Sequence, residues 1–565
     1  MKNTLLIHNA KITTMDPARP EATALLIAGD RIVAVGDDAL LAQADADCTR
    51  IDAGGRRLIP GLNDSHIHGV RQGLNHAMEL RWDAQTSLGA ALERLRDQAQ
   101  QTPPGQWVRV VGGWSFRQFS ERRHPTIEEI NAATGDVPCY VLHLYDYAIV
   151  NRAGLRALGI GPETRDTYPR GRIIRDAKGN PTGLMMAAPS AVILYSLLNQ
   201  MPKLPPEEQA VSTRHFLREL NRFGLTSLLD AGGGFLNYPE DYDVLTDLHR
   251  EGLLSVRIGF SLFAQRPGKE LEDFERWSDI TAPDAGDAML KVVGAGEMLR
   301  ASAYDFEDFI LPRPELGPTM EDELFPVVEL LARKRWPFRF HATYDESATR
   351  ILNVLETVNR AYPLEGLHWI FDHGETLKEP NIERIAALGG GISVQNRIAF
   401  QEEQFLARYG ADAANDAPPL KKILAAGVPL GNGTDATRVS SYNPWLSIHW
   451  TVSGRGRGGA VLLGEDRRLD RHTALKLYTD NAWFSREEDQ KGRLAPALLA
   501  DFALLSDDYF SIPEEAIADL ESVLTVLGGR VVHASGPFTS HAPAPLPALP
   551  EWTPLARHGG FVRVP

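Results

Sequence analysis

The sequence predicts an α/β protein built on a (β/α)8 TIM-like barrel, with a composite β-sandwich from both chain ends and an α+β insertion after barrel strand one. Three observations predict it. Through the middle of the chain, strand-like apolar runs alternate with helical patterns, which implies a parallel sheet. The candidate strands are Arg57–Leu62, Leu225–Leu229, Val256–Leu262, Leu290–Val293, Phe338–Phe340, Leu367–Phe371, Gly391–Val394 and Val428–Leu430, the number a closed barrel needs. The carboxyl ends of several of these strands carry histidine, lysine or aspartate, and barrel enzymes place their chemistry at those ends.

In chain order, the first 57 residues look all-β. Leu5–Thr14 and Ala24–Ala28 are apolar runs, and Gly29-Asp30 turns into Ile32–Gly36 as a hairpin would. The far end follows the same pattern, with Ala500–Leu505 and Val523–Leu527 strand-like and Gly528-Gly529 turning into Arg530–Val532. Neither piece is large enough to bury a good core alone. Residues 1–57 and 484–540 are therefore expected to join in one sandwich beside a barrel of residues 58–74 and 216–483. The interval from His68 to Asp230 far exceeds the roughly 30 residues of one βα unit. Residues 75–215 are thus expected to form an inserted α+β subdomain, with strand-like Trp107–Gly113 and Cys139–His143 and a helical pattern from Pro205 to Arg222. The Pro- and Ala-rich segment 541–565 is expected to be an extended arm or partly disordered.

Composition excludes several classes. A chain of 565 residues is too long for one ordinary core. A net charge of −15 argues against a nucleic-acid partner or an anionic membrane surface. Cys48 and Cys139 are too few for a disulfide framework. No basic leader followed by an apolar stretch opens the chain, and no run of 18 apolar residues occurs, so a cytoplasmic protein without a membrane span is expected.

The most informative stretch runs Leu58-Ile-Pro-Gly-Leu-Asn-Asp64-Ser-His66-Ile-His68-Gly69. In a strand, residues i and i+2 share a face, so both imidazoles project together as half of a metal site. Later strand ends extend the set with Lys291, His341, His373 and Asp435. At about 30 residues per βα unit, the steps between these four are one extended unit, one unit and two units. Four histidines and a carboxylate at one barrel mouth suit a divalent cation, zinc before manganese or iron. Each residue alone has a plainer reading. Lys291 could snorkel to the surface, His341 and His373 could be hydrogen-bonded core histidines, and Asp435 could cap the following helix. Their shared register makes those readings improbable together.

These pieces resemble the amidohydrolase superfamily, in its YtcJ-like branch of metal-dependent hydrolases. The matching motifs are PGLNDSHIHG (60–69), LTSLLDAGG (225–233), LKVVGAG (290–296), HATYDESA (341–348), FDHGE (371–375), GNGTDAT (431–437), LYTDNAW (477–483) and GRLAPALLADFALL (492–505). The resemblance implies that His66, His68, His341, His373 and Asp435 are metal ligands and that Asp435 is also the general base. It implies that Lys291 is a ligand which, once carboxylated, bridges two ions; without carboxylation a single ion is expected. It gives Asp345 a supporting role behind the ligands, and Asp64 is assigned the same role. A small-molecule substrate and a homo-oligomeric state are expected only from this resemblance. Two departures stand out: Ala295-Gly296 where the family often has Asp-Gly, and Asp146 where it often has histidine. The first leaves the metal count open, and the second points to a non-standard substrate pocket.

The reaction expected is hydrolysis of an amide-type C–N bond by water acidified to a pKa of about 7 by the metal. Asp435 would take the proton and return it to the leaving nitrogen. Ester hydrolysis, or isomerisation or decarboxylation on the same barrel, remains an alternative, since fold does not choose between them. A non-catalytic binding protein is disfavoured because every ligand is present. Pocket candidates are Trp114, Tyr145, Asp146, Tyr147, Glu297, Gln395 and Arg397, with Trp445 and His449 near the entrance. An arginine such as Arg397 could hold a substrate carboxylate, and the aromatics could instead pack the inserted subdomain.

Overall fold

Eight parallel strands carry the polar residues singled out by the sequence. They are β1 (Leu62–Ile67), β2 (Leu225–Asp230), β3 (Arg257–Leu262), β4 (Leu290–Ala295), β5 (Arg339–Ala342), β6 (Ile370–His373), β7 (Gly391–Gln395) and β8 (Leu430–Gly433). The computed structural model describes residues 4–165, 171–187, 191–305, 309, 311–313 and 315–562. The strands pair in two four-stranded parallel sheets, ordered β4-β3-β2-β1 and β5-β6-β7-β8. Backbone hydrogen bonds also cross between the sheets at both edges. Ala295 N donates to Pro337 O (2.9 Å) and His341 N to Glu297 O (3.1 Å) on one side; Asp435 N donates to His66 O (2.8 Å) on the other.

The helices between strands bury one face each. Met320–Arg333 turns Leu324, Val327, Val328 and Leu331 inward, and Asp345–Asn359 turns Ala348, Ile351, Leu352 and Leu355 inward. This is the i, i+3, i+4, i+7 spacing of an amphipathic helix. Each large side chain so buried contributes about 1.5–3 kcal/mol.

The first expected strand is corrected. Arg57–Leu62 is not one strand: Arg57–Pro60 pairs antiparallel with Phe502–Leu505 and parallel with Lys11–Thr13, and β1 begins only at Leu62. The break falls at Gly61, where a Cβ would lie 2.1 Å from Thr226 Oγ1, so only glycine lets the two strands diverge there. Six of the other seven expected strands end one to three residues later, which brings His341 and His373 inside β5 and β6.

Arg57–Pro60 belongs to a six-stranded sheet that mixes strands from both chain ends, and a four-stranded sheet from residues 4–52 accompanies it. Their buried side chains, among them Leu25, Ile27, Leu58, Phe502 and Leu524, form one cluster. Between β1 and β2 a separate five-stranded sheet contains Val108–Val111, Cys139–His143, Tyr147–Val150, Arg172–Arg175 and Pro181–Met186. Of the extended arm or partial disorder expected after residue 541, the described residues up to 562 show the arm, without helix or strand from 542 to 550. A helix forms at Pro554–His558, Gln98 Nε2 donates to Trp552 O (2.7 Å), and Phe561 N donates to Tyr442 Oη (2.7 Å). Proline-rich composition favours extended chain, but does not prevent docking where acceptors and an apolar surface are at hand. Among the described residues no helix is long and apolar enough to cross a membrane.

Candidate metal centre

β1 ends in the i, i+2 pair, and both rings reach one point: the His66 and His68 centroids are 5.4 Å apart. The chain then enters α1 (Gly69–Asn75), whose first turn is held by Asp230 at the end of β2, which accepts from Val70 N (2.8 Å). His68 Nδ1 lies 2.6 Å from Gly232 O, which fixes the ring and aims Nε2 at the cluster. His66 Nδ1 lies 2.8 Å from Asp372 Oδ1. Asp372 accepts in turn from Arg339 Nε (2.7 Å), so a buried arginine–carboxylate pair orients the histidine.

Across from this pair stand His341 and His373, with ring centroids 4.0 Å apart. His373 (φ 77°) and Asp435 (φ 53°) both occupy the left-handed region that residues other than glycine seldom adopt. Such strain persists where the surroundings over-determine it, commonly at functional sites. Asp435 Oδ1 is 3.1 Å from His68 Nε2 and 3.4 Å from His66 Nε2.

Glu297 occupies the middle of the cluster. Its Oε2 is 3.2 Å from His341 Nδ1, 3.4 Å from His373 Nε2 and 3.7 Å from His66 Nε2, while Oε1 is 3.7 Å from His68 Nε2. Two overlapping sets thus have metal-ligand spacing, His66–His68–Asp435 and His66–Glu297–His373, all buried.

The charges follow from this crowding. Burial opposes ionisation of Glu297, but the surrounding imidazoles, His66 foremost, hold its carboxyl well below the usual range. Burial opposes ionisation of Asp435 too, and His66 and His68 outweigh it in the same way. Burial disfavours protonated His66, yet Asp372 and Glu297 raise its pKa well above the ordinary imidazole value. His373 is lowered by burial and by His341.

One expected ligand is corrected. Lys291 is the second residue of β4, at its amino end, where Nζ donates to Ser485 O (3.0 Å) and pairs with Glu487 (3.2 Å) and Asp284 (3.4 Å). Six residues of extended chain, roughly 20 Å, separate it from Glu297 at the other end. Glu297, expected only to touch substrate, is the residue after β4 that stands among the histidines. The rule that chemistry lies at carboxyl ends of strands would have found it; the charge of lysine drew attention to the wrong end.

Asp64 lies beneath the cluster, accepting from His66 N (3.0 Å), Thr434 N (3.1 Å) and Thr434 Oγ1 (2.6 Å), and burial pushes its pKa up to about 7. Asp345 is placed away from the ligands. It accepts from Lys378 N (2.8 Å) and Asn381 Nδ2 (2.8 Å), tying one strand–helix loop to the next. Besides Glu297, the carboxylate beside His341 is Asp305, 3.4 Å from Nε2 and accepting from Thr343 N and Tyr344 N.

Trp114 is fully buried among Trp82, Phe119 and His143, with its indole N–H on Leu142 O (2.9 Å), so it belongs to the core of the inserted sheet. Tyr147 stacks on His143, whose Nδ1 is 3.2 Å from Asp146 Oδ2. Tyr145 is buried against Tyr195. Gln395 Nε2 donates to Ser393 O (2.7 Å) on its own strand. Arg397, offered as a carboxylate holder, is buried and engaged by Glu375 (2.7 Å) and Thr343 Oγ1 (2.8 Å). Trp445 donates to Phe223 O from the core and does not line an entrance. Asp372, Arg339 and Asp305 escaped notice, although Asp372 stands inside the quoted FDHGE motif.

Comparison with known proteins adds a family. The sequence profile described as "Amidohydrolase family" matches residues 49–533. The chain is 25% identical over 496 residues to a putative amidohydrolase YtcJ of Bacillus subtilis (strain 168), covering 86% of this chain and 90% of that one. It is 22% identical over 545 residues to an N-substituted formamide deformylase of Arthrobacter pascens, covering 93% and 97%. Among solved structures, an uncharacterized metal-dependent hydrolase from Pyrococcus horikoshii OT3 superposes with a TM-score of 0.65 at 21% identity, over 91% of this chain and 99% of that one.

Proposed function

Because this chain belongs to the amidohydrolase family, we propose that it is a metal-dependent hydrolase cleaving an amide-type C–N bond of a small molecule. The observation that carries this reading is the convergence of His66, His68, Glu297, His341, His373 and Asp435 from five strand ends into one buried cluster. The donor set fits a cation. His66 Nε2, both ring nitrogens of His373 and Asp435 Oδ2 are buried yet make no hydrogen bond among the described residues. Imidazole and carboxylate donors held this way suit zinc. Glu297, with one oxygen toward His68 and the other toward His66, His341 and His373, would help hold a second cation if one bound. A bound cation would supply Lewis acidity toward the carbonyl and acidify a water.

The chain's own residues do the rest. Asp435 keeps Oδ1 on the two histidines of β1 and leaves Oδ2 to take a proton from the attacking water and hand it to the leaving nitrogen. Asp372 and Arg339 fix the His66 ring, and Gly232 fixes that of His68, so the donors need not reorganise on binding. The deformylase among the relatives favours a C–N bond over an ester. We read the two parallel sheets as a (β/α)8 barrel closed at both seams, flanked by a sandwich of residues 1–57 and 484–540 and interrupted by residues 75–215.

The test is a panel of N-acyl amines, cyclic imides, carbamates and esters on zinc-reconstituted protein. Turnover of the C–N substrates, with one oxygen from labelled water in the acid product, is expected. Turnover confined to esters, or product without water-derived oxygen, would overturn the reading.

A further inference from the structure

A cavity of about 500 Å³ opens beside α1, lined at its deep end by Arg71, Arg109 and Arg438 and at its rim by Glu240, Asp243 and Asp247. Arg71 is one helical turn past His68, and Arg438 is three residues past Asp435. Both side chains are buried, at 6% and 9% exposure, and Arg71 Nη2 and Arg438 Nη1 are buried with no hydrogen-bond partner among the described residues. Other buried arginines near the cluster are held by carboxylates, Arg339 by Asp372 and Arg397 by Glu375.

Each guanidinium offers five N–H donors in a planar fork. Leaving even one such nitrogen of each arginine buried without an acceptor is costly, so their retention points to an acceptor that arrives with a ligand. The local backbone makes room for it. Arg71 lies across Gly233 and Gly234, where a Cβ on Gly234 would sit 2.2 Å from Arg71 Cδ. Arg438 is steadied by the face of Tyr195, 4.4 Å away. The same Gly232–Gly234 turn supplies the carbonyl that fixes His68. The one turn therefore touches both Arg71 and His68.

We propose that Arg71 and Arg438 form the anion end of the substrate pocket, and that the substrate carries a carboxylate apart from the bond it loses. The class is an N-acylated amino acid or a similar amide acid. This rests on the hydrolase reading above and narrows its substrate. A monoanion is specified because Glu79 shares the cavity and its exposed rim is acidic, which disfavours a phosphate dianion.

The experiment compares N-acetylphenylalanine with N-acetylphenethylamine, which differ only in the carboxylate, on zinc-loaded protein. In parallel, calorimetry measures binding of 3-phenylpropionate and of phenyl phosphate to wild type, Arg71→Met, Arg438→Met and both lysine variants. Charge-assisted hydrogen bonds of this kind predict a preference for the acid of about 10–100-fold in kcat/KM per arginine, carried mainly by KM. Either methionine variant should lower that ratio at least about tenfold and weaken 3-phenylpropionate binding to match, while lysine should recover part of both. Equal cleavage of both amides with no binding of 3-phenylpropionate would overturn the proposal and leave the hydrolase reading intact. Arginine-dependent binding of 3-phenylpropionate without cleavage of either amide would support the anion site and count against hydrolysis. Tighter binding of phenyl phosphate would overturn the choice of carboxylate. The wild-type ratio needs no variant, so misfolding of one leaves the test standing.

Discussion

Asp435 divides its two oxygens between tasks: Oδ1 faces His66 and His68, and Oδ2 makes no hydrogen bond among the described residues. Asp435→Asn keeps one oxygen toward the histidines but cannot accept the proton. It is expected to retain most zinc by elemental analysis and lose about 10²–10⁴ in kcat; near-wild-type turnover would contradict that role. Lys291 gives the opposite expectation. Lys291→Met should leave zinc content unchanged, because its ammonium is engaged by Glu487 and Ser485 at the far end of β4; loss of an ion would restore it as a ligand. His76 supplies a pH dependence. Burial lowers its pKa from 6.5 to about 3. The unfolded chain therefore binds more protons between those values, and stability falls as pH drops below 6.5. About 2 kcal/mol should be lost between pH 6.5 and 5 at this residue, read as a steeper decline of the urea midpoint in wild type than in His76→Gln. The clustering of His66, His68, His341, His373 and Asp435 was legible because motif and strand end coincide at each. Glu297 was not, because it follows Gly296 beyond the strand and its neighbour in sequence logic, Lys291, has more conspicuous chemistry.

At the scale of elements, the passage from Arg57–Pro60 into β1 decides where the histidine pair points. A strand continuous through Gly61 would keep pairing with Phe502–Leu505; the break frees Leu62 onward to pair with β2. Gly61→Ala should cost about 1–3 kcal/mol by overpacking, and Thr226→Ala should return part of it, read by denaturation midpoints in a double-mutant cycle. Strict additivity of the two substitutions would show that the contact does not set the break. The apolar run Leu58–Leu62 hides this boundary, since both sides are buried and no alternation marks the change of partner. Strand existence was readable from apolar runs bounded by turns, whereas pairing depended on which sheet lay beside each run.

For the whole molecule, the chain's net charge of −15 contrasts with a cavity that gathers buried arginines. Composition gave no sign of the buried arginine pair, which emerged once α1 and the loop after β8 were brought side by side. The docking of the segment after residue 541 was illegible for a similar reason: its partners, Asp97, Gln98 and Glu219, lie hundreds of residues away. Glu297 touches all four histidines of the buried cluster, and a centre for two ions depends on it. Equilibrium dialysis against zinc followed by elemental analysis tests it most directly. Wild type should hold about two ions per chain, and Glu297→Gln about one or fewer. A wild-type protein that retains no zinc, or a Glu297→Gln variant that holds as much as wild type, would contradict it.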